Sequence, residues 1–325
     1  MATQRIETEV DGVRLSLSNL DKVLFPATGF TKGALVDYYA RVAPSMLTHV
    51  ADRPVTFRRF PEGVDGESFF EKHVPRHAPS WVRTVAVPHG YSSRSAAKGN
   101  DDIIYAVADD RATLVWAANL ATIEFHVPLW HIGDGGVRPG HPDHLVFDLD
   151  PGPGTTIVEC SRVAKWITEL LERESLGPAF PKTSGSKGLQ LYVRWPEQTT
   201  WDVARDRALQ FAQSIERDHG DLVVSNMRKN LRDAHVLIDW SQNHPAKTTV
   251  AAYSVRGREE PTVSTPVTLS EVEACARSGD PNDLVFRTDD VLARVAEHGD
   301  LMAGLFASSK PKPARPSRPN RGAPA

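Results

Sequence analysis

The segment LVFDLDPGPG, residues 145–154, constrains the fold more than any other part of the chain. Its first half alternates apolar and acidic side chains, which is typical of a strand buried on one face, and its second half is a turn of proline and glycine. Successive side chains of a strand point to opposite faces, so Asp148 and Asp150 lie on the same face, about 7 Å apart. Phe147 and Leu149 then point into a core. The sequence therefore predicts a strand that presents two carboxylates near its end.

A second apolar segment, VLIDWSQN at residues 236–243, carries one acid, Asp239, before a polar run. If its strand lies beside the first one, Asp148, Asp150 and Asp239 converge. Neighbouring carboxylates repel one another and raise each other's pKa unless a cation lies between them. Magnesium and manganese prefer oxygen ligands and leave room for substrate phosphates. Three converging carboxylates are the arrangement that two-metal phosphoryl transfer requires.

Other interpretations of the acidic pair remain open. Each aspartate could simply cap a turn. The haloacid-dehalogenase phosphatases need a threonine two residues after the second aspartate, where this chain has Gly152, so that class is disfavoured. Sugar-nucleotide transferases also bind a metal through two aspartates spaced in this way, usually in a loop, and the pair alone does not exclude them.

The segment TSGSKG, residues 183–188, lies between two predicted strands and does not match the Walker pattern GxxxxGK[ST]. Its small residues allow backbone N–H groups to face an anion, Ser184 and Ser186 add donors, and Lys187 adds a positive charge. These features suit the binding of a nucleoside triphosphate. The alternative is a glycine hairpin with a solvated lysine.

Helix-like and strand-like patterns are mixed along the chain, which predicts an α/β (α+β) fold with largely antiparallel sheets. Helices are predicted at about 32–49 with Thr31 as N-cap, within 111–127, after the capping box of Thr156 and Glu159, at about 202–217, after a second box of Thr268 and Glu271, and near Asp290. Strands are predicted at 55–60, 68–74, 81–87, the end of 111–127, 145–150, both sides of 183–188, 222–226 and 235–243.

The bulk properties agree with a water-soluble chain of 325 residues that folds as one or two lobes. No stretch approaches the roughly 20 apolar residues that span a bilayer, and the first residues lack the pattern of a signal peptide. Cys160 and Cys275 are the only cysteines, too few for a disulfide framework or a four-cysteine zinc site. The expected location is the cytoplasm, without contact to a membrane.

The last segment, residues 308–325, contains five cations, five prolines and no acid. It cannot bury a core and is predicted to be disordered, either as a solubilising tail or as an electrostatic arm for DNA. Without its five cations, 33 basic residues stand against 41 acidic ones. Net charge therefore gives no support for nucleic-acid binding, and such an argument depends on the sites.

Several segments together resemble the polymerase domain of bacterial ATP-dependent DNA ligase D, a branch of the archaeo-eukaryotic primase superfamily. The similar segments are LSNLDKVLFP (17–26), RPVTFRRFPEGVDGESFFEKHVP (53–75), WAANLATIEFHVPLW (116–130), HLVFDLDPGPG (144–154), TSGSKGLQLYV (183–193), VLIDWSQN (236–243) and KTTVAAYSVRGREEPTVSTP (247–266). The resemblance covers about residues 15 to 306. With no ligase or nuclease segment in this sequence, it is greatest to the stand-alone actinobacterial primase-polymerases.

The resemblance implies roles for individual residues. The metal ligands would be Asp148, Asp150 and Asp239, and the active-site histidine would be His126. The incoming nucleotide would be bound by Ser184, Ser186, Lys187, Gln190, Gln242 and Arg256. A downstream 5′-phosphate would be bound by Asn19, Lys22 and Lys32, and the aromatic residues that stack on DNA would be Phe69 and Phe70. Lys32 follows the predicted N-cap, so free N–H groups of the first helical turn are expected to favour an anion there. At Gln190 the family pattern has histidine, and glutamine cannot carry its positive charge.

The resemblance also implies an activity. The expected enzyme is a monomeric template-directed primase-polymerase that fills short gaps in DNA, uses two Mn²⁺ or Mg²⁺ ions and prefers ribonucleoside triphosphates. Its expected DNA is gapped or primer–template DNA with a downstream 5′-phosphate. An N-terminal module of about residues 1–130 would pack on an RNA-recognition-like catalytic module of about 140–307. The alternatives are an end-joining polymerase acting with Ku and a separate ligase, and a non-catalytic module that binds DNA gaps.

Overall fold

The computed structural model describes residues 5–88, 102–133, 141–195 and 199–306. The predicted basic tail lies outside these ranges. The helices are α1 (Lys32–Val50), α2 (Arg111–Asn119), α3 (Ile157–Arg173), α4 (Trp201–Asp218), α5 (Leu269–Ser278), α6 (Thr288–His298) and α7 (Ala303–Phe306). Single 3₁₀ turns lie at Lys229–Leu231, Trp240–Gln242 and Pro281–Leu284. None of the helices in these ranges combines the length and the apolar character that crossing a bilayer demands.

Most strands belong to two sheets that are mainly antiparallel. A six-stranded sheet contains β5 (Pro54–Arg59), β6 (Phe69–Glu71), β7 (Thr84–Val87), β8 (Ile103–Val107), β9 (Thr122–Pro128) and β15 (Thr248–Val250). A five-stranded sheet has the order β11 (Ala179–Thr183), β12 (Leu189–Arg194), β10 (His144–Pro151), β14 (Val236–Asp239) and β13 (Val223–Val224). Short hairpins are formed by β1 (Arg5–Val10) with β2 (Val13–Ser18) and by β3 (Val23–Phe25) with β4 (Phe30–Thr31). The predicted fold class is confirmed.

One face of each sheet packs against helices in a core, and strand alternation decides which side chains point to it. On β10, Leu145, Phe147 and Leu149 are fully buried against helices α3, α4 and α5. The acids Asp148 and Asp150 therefore project from the opposite face, as predicted. On β9, Ile123, Phe125 and Val127 enter the other core, under α1 and α2, so the polar residues between them face away from it.

Three helices begin at the N-cap residues that the sequence predicted. The Thr31 hydroxyl accepts the Ala34 N–H over 3.2 Å at the start of α1. The boxes at α3 and α5 are present as predicted. The strand predicted at 81–87 begins only at Thr84, because the Val82 N–H bonds the Pro79 carbonyl in a turn. That predicted at 68–74 is reduced to β6.

The two predicted modules share material. Strand β15, from the second half of the chain, pairs with β9 of the first, matching Val250 with His126. Val291, Met302 and Leu305 also lie in the core formed by α1 and α2. A boundary near residues 130–140 thus separates most strands of the two sheets, but the first core contains residues from both sides of it. The division of the chain into two modules stays a prediction.

Candidate active site

Four polar side chains form a row across the five-stranded sheet. Lys182 is paired with Gln190, Gln190 with Asp148, and Asp148 with Asp239 in the strand registers. Directly opposite residues project from the same face, so the row lies on the face away from the helices. Asp150 lies on that face two residues further along β10 and is exposed. The sequence pattern thus predicted correctly that Asp148 and Asp150 share a face, and the role of these acids stays a prediction.

Amide and ammonium groups surround the two paired acids. Gln190 Nε2 donates to Asp148 Oδ1 over 3.0 Å, and Gln242 Nε2 donates to Asp148 Oδ2 over 3.2 Å. The Ser241 N–H donates to Asp239 Oδ1 over 2.9 Å, and Lys247 Nζ lies 3.5 Å from the same oxygen. These donors partly offset the negative charge of the two carboxylates. Each carboxylate keeps lone pairs that can bind a further ligand.

The acids are electrostatically strained. The pKa of Asp148 is raised to about 7, first by burial and then by the charges of Asp150 and Asp239, against the opposing hydrogen bond from Gln190. Burial and the charge of Asp239 also raise the pKa of Asp150. A divalent cation would relieve this repulsion, and a set of carboxylate oxygens is the donor type that Mg²⁺ and Mn²⁺ prefer. The chemistry of the site therefore fits the predicted ions.

The acids do not form a complete metal site by themselves. Within residues 5–88, 102–133, 141–195 and 199–306, no three His, Cys, Asp or Glu side chains are gathered closely enough to hold a metal ion. Asp148 and Asp239 are directly paired across the two strands, and Asp150 is paired with Leu237 further along β10. The assignment of all three as ligands stays a prediction.

The glycine-rich turn forms a closed hairpin. The Ser184 N–H bonds the Gly188 carbonyl over 2.9 Å, and the Ser184 hydroxyl accepts the N–H groups of Ser186 and Gly188 over 3.2 and 3.0 Å. These two N–H groups are thus already bonded within the turn, which differs from the expected anion cradle. At Gly188 a Cβ atom would lie 2.2 Å from the Leu149 carbonyl oxygen, so only glycine fits against the acid-bearing strand.

A cleft of about 610 Å³ opens beside this turn. It is lined by the exposed side chains of Ser186 and Lys187, by Arg258, and by Thr155 and Thr156 at the start of α3. Of the predicted nucleotide-binding residues, Ser186 and Lys187 therefore face the cleft and the two glutamines face the acids. Arg256 lies beneath the turn, where its Nη1 donates to the Ser184 carbonyl.

His126 lies on the six-stranded sheet and contacts a residue that sequence reasoning missed. Its Nε2 is 2.8 Å from Oε2 of Glu124, which is fully buried. Burial lowers the pKa of His126, the hydrogen bond to Glu124 opposes this, and the charge of Arg256 lowers it again. The alternation of IEFHV could have indicated that Glu124 and His126 share a face, but it gave no sign of their partners.

Lys182 is the second missed residue. Its side chain is 1% exposed, and its Nζ donates to Ser264 Oγ over 2.7 Å. The pKa of Lys182 is lowered to about 7, mainly by burial, and the charge of Asp148 opposes this shift. The row across the sheet thus ends in a buried amine.

The predicted phosphate pocket is assembled by backbone contacts. The Lys22 N–H bonds the Asn19 carbonyl and the Lys32 N–H bonds the Lys22 carbonyl, over 3.1 and 2.8 Å. Asn19 and Lys22 line an open groove of about 490 Å³. Lys22 Nζ pairs with Glu62 over 2.7 Å, whereas Lys32 Nζ is turned inward to the Asn119 carbonyl over 2.9 Å.

The expectation of free N–H groups at the start of α1 is wrong. The N–H of Lys32 bonds Lys22, that of Gly33 bonds the Leu20 carbonyl over 2.7 Å, and that of Ala34 bonds Thr31. The hairpin preceding the helix has used these donors. What remains is the pair of ammonium groups: the pKa of Lys32 is lowered to about 8, first by burial and then by the charge of Lys22.

Phe69 and Phe70 are 45% and 58% exposed, more than most large apolar side chains. Phe70 contacts the His126 ring edge-on at a centroid distance of 5.3 Å, and Arg58 lies over the Phe70 ring. Phe69 lies under Arg59 instead. Phe70 thus contacts the His126 ring, and both phenylalanine rings remain substantially exposed.

Comparison with known proteins agrees with these features. A family model described as LigD, primase-polymerase domain, matches residues 31–302. The chain is 42% identical over 300 residues to the multifunctional non-homologous end joining DNA repair protein LigD of Mycobacterium tuberculosis, covering 91% of this chain and 37% of that protein. It is 28% identical over 301 residues to the bifunctional non-homologous end joining protein LigD of Bacillus subtilis, covering 92% and 45%. The chain therefore spans less than half of the length of these relatives.

A solved structure is also similar. The polymerase domain from Mycobacterium tuberculosis ligase D, determined in complex with DNA, superposes with a TM-score of 0.81 at 42% sequence identity. The match covers 90% of this chain and 98% of that one. The likeness thus extends over sequence and fold together.

Proposed function

Because this chain belongs to the LigD primase-polymerase family, we propose that it is a template-directed primase-polymerase that fills short gaps during DNA repair. The family's enzyme class is DNA-directed nucleotidyl transfer. The single observation that carries the proposal is the pairing of Asp148 with Asp239 on neighbouring strands, beside the glycine-rich turn. In the proposed reaction a primer 3′-hydroxyl attacks the α-phosphate of a nucleotide and pyrophosphate leaves.

The residues of the site have separate tasks in this proposal. Two divalent ions, Mn²⁺ or Mg²⁺, held by Asp148, Asp150 and Asp239, would supply charge stabilisation at the reacting phosphate when bound. Lys187 and Ser186 would bind the triphosphate from the cleft. The amides of Gln190 and Gln242 orient Asp148. The protein thus contributes positioning and charge rather than a covalent step.

The DNA-binding part of the proposal rests on other surfaces. Phe69 and Phe70 would stack on bases at the gap, and base stacking on an aromatic ring is worth about 1–3 kcal/mol. Asn19, Lys22 and Lys32 would bind the downstream 5′-phosphate. A preference for ribonucleotides is supported by the family resemblance. The enzyme is proposed to act as a monomer in the cytoplasm.

A second candidate is an end-joining polymerase that acts with Ku and a separate ligase. The names of the relatives, which are non-homologous end joining proteins, favour it. Retention of this chain on immobilised Ku would support this role over general gap repair. A third candidate, a non-catalytic gap-binding module, is favoured by the neutral Gln190 beside Asp148, at the position where the family pattern has histidine.

The deciding experiment is primer extension on gapped and open templates with each nucleotide type, with and without Mn²⁺. Wild type should extend the primer, whereas Asp148→Ala and Asp239→Ala should lose at least about 10³-fold in rate, because several kcal/mol of transition-state stabilisation disappear. Asp202→Ala is the matched control, since this exposed acid begins α4 on the other side of the sheet. Tight binding of gapped DNA without any incorporation would favour the non-catalytic module.

A further inference from the structure

Glu124 is a fully buried carboxylate that contacts four groups of the site at once. Its Oε1 accepts Arg58 Nη1 over 3.2 Å and the Gly257 N–H over 3.0 Å, and it lies 3.3 Å from Arg256 Nε. Its Oε2 is kept for His126 Nε2, at 2.8 Å. Burying a carboxylate costs free energy unless it is paired in this way.

The strand register shows why these groups meet there. Arg58 on β5 is opposite both Glu124 on β9 and Phe70 on β6, so the three side chains form a row on one face. His126 follows Glu124 by two residues and shares that face. Phe70 in turn contacts the His126 ring. The carboxylate is therefore the buried end of a row whose other end is an exposed aromatic ring.

A second chain of contacts leads from Glu124 to the glycine-rich turn. Arg256 approaches Glu124 with Nε and donates from Nη1 to the Ser184 carbonyl. Its Nε has no hydrogen-bond partner among the described residues, so the contact to Glu124 is one of charge. Glu124 is thus two contacts away from the turn and one contact away from His126.

We propose that Glu124 is a positioning residue that fixes His126 and Arg256 relative to one another in the nucleotide site. This inference rests on the proposed function. The carboxylate only accepts hydrogen bonds, so the proton of a neutral His126 is on Nε2 and Nδ1 is the nitrogen left for another molecule. The bond also fixes the ring orientation. Glu124 itself touches neither nucleotide nor DNA.

Replacing the carboxylate by its neutral isostere separates positioning from packing. In Glu124→Gln the side-chain shape is kept, but an NH₂ group now faces donors, so His126 or the arginines lose their acceptor. The KM for nucleotide should rise about tenfold or more, while kcat and the Kd for gapped DNA change less than threefold, since a tenfold change matches the loss of one charge-assisted hydrogen bond.

Controls distinguish this from a general loss of structure. Glu271→Gln removes a carboxylate that pairs with Arg294 over 2.6 Å away from the acids, and it should leave the nucleotide KM unchanged. Arg256→Ala should raise the KM by itself. Combined with Glu124→Gln it should add little, because both changes break the same contact chain. Strictly multiplicative effects of the two changes, or an unchanged KM in Glu124→Gln, would overturn the proposal.

One measurement uses the wild type alone, in case Glu124→Gln does not fold. Long-range ¹H–¹⁵N spectra of the histidine rings report which nitrogen of His126 carries the proton. An Nε2–H form supports the assignment, and an Nδ1–H form refutes it. If wild type incorporates no nucleotide, the proposed polymerase activity fails, but this spectrum and titration with a fluorescent nucleotide still test Glu124.

Discussion

The Nε2 of Gln190 donates to Oδ1 of Asp148 over 3.0 Å, and the Tyr192 hydroxyl donates to Oε1 of the same amide over 3.2 Å. The hydroxyl holds the amide with its NH₂ group towards the acid. Thr249 Oγ1, on the other sheet, lies 3.1 Å from the Tyr192 hydroxyl. The orientation of the glutamine is therefore set by both sheets, and the position where the family pattern has histidine forms an ordered neutral contact.

Gln190→His is expected to lower the nucleotide KM. The imidazole would lie beside the Asp148 carboxylate, which favours its charged form, and a positive charge next to the triphosphate strengthens binding. The gain should be larger below pH 6.5, where imidazole is protonated, than at pH 8. Steady-state kinetics across this pH range check it, with Gln190→Leu as the control that cannot donate. A KM that stays the same or rises would mean that the site is built around the neutral amide.

Asp148→Asn is expected to stabilise the metal-free protein in a pH-dependent manner. The pKa of Asp148 rises from an ordinary 3.8 to about 7 on folding, so ionisation costs nothing below pH 3.8 and its full free energy above pH 7. In EDTA the variant should melt several degrees above wild type at pH 8, and the two should coincide near pH 3.5. Mn²⁺ should raise the Tm of wild type more than that of the variant. Equal melting temperatures in EDTA at pH 8 contradict the argument.

Lys182→Met should also stabilise the protein, with a different pH range. Burial lowers the pKa of Lys182 from 10.5 to about 7, so the buried charge destabilises the folded protein fully below pH 7 and not at all above about pH 10.5. The gain should be on the order of a few kcal/mol at pH 6 and should shrink as the pH rises from 7 to 10.5. Denaturant melts at several pH values measure it. Lys187→Met, at an exposed position of the same hairpin, is the control and should show no such trend.

Wild type is expected to fill gaps of one to three nucleotides several-fold better with a downstream 5′-phosphate than with a 5′-hydroxyl. The ammonium groups of Lys22 and Lys32 repel each other, and a terminal phosphate with nearly two charges would bind between them. The double variant Lys22→Ala/Lys32→Ala should lose this discrimination but still extend open templates. Lys165→Ala, on the outer surface of α3, serves as the control. Equal use of both ends by wild type would eliminate the pocket.

Deletion of residues 308–325 should weaken DNA binding and make it less dependent on salt. Five cations are lost, and each contributes up to about 0.9 to the slope of log K against log salt if it contacts a phosphate. Titrations of gapped DNA at several salt concentrations give the slope, and single-turnover rates should not change. Equal slopes of log K against log salt with and without the segment would indicate that it only makes the protein more soluble.

Local patterns predicted the fold and the acids because each signal lies within a few residues. Alternation placed Phe147 in the core and Asp148 outside it, and the caps marked three helix starts. Glu124 could not be found in this way, because its partners Arg58 and Arg256 lie 66 and 132 residues away in sequence. The loss of free N–H groups at Lys32 was equally hidden, since it depends on how the preceding hairpin folds back.

Strand β15 has a consequence for how the chain is made. It completes the six-stranded sheet by pairing with β9, about 120 residues earlier in the chain. During synthesis on the ribosome, the six-stranded sheet therefore cannot be completed until all strands of the five-stranded sheet, which carries Asp148 and Asp239, have been synthesised. Such long-range pairing slows folding, because the loop must close before the contact forms. A nascent chain stalled before residue 248 should be captured by chaperones and cleaved readily by proteases.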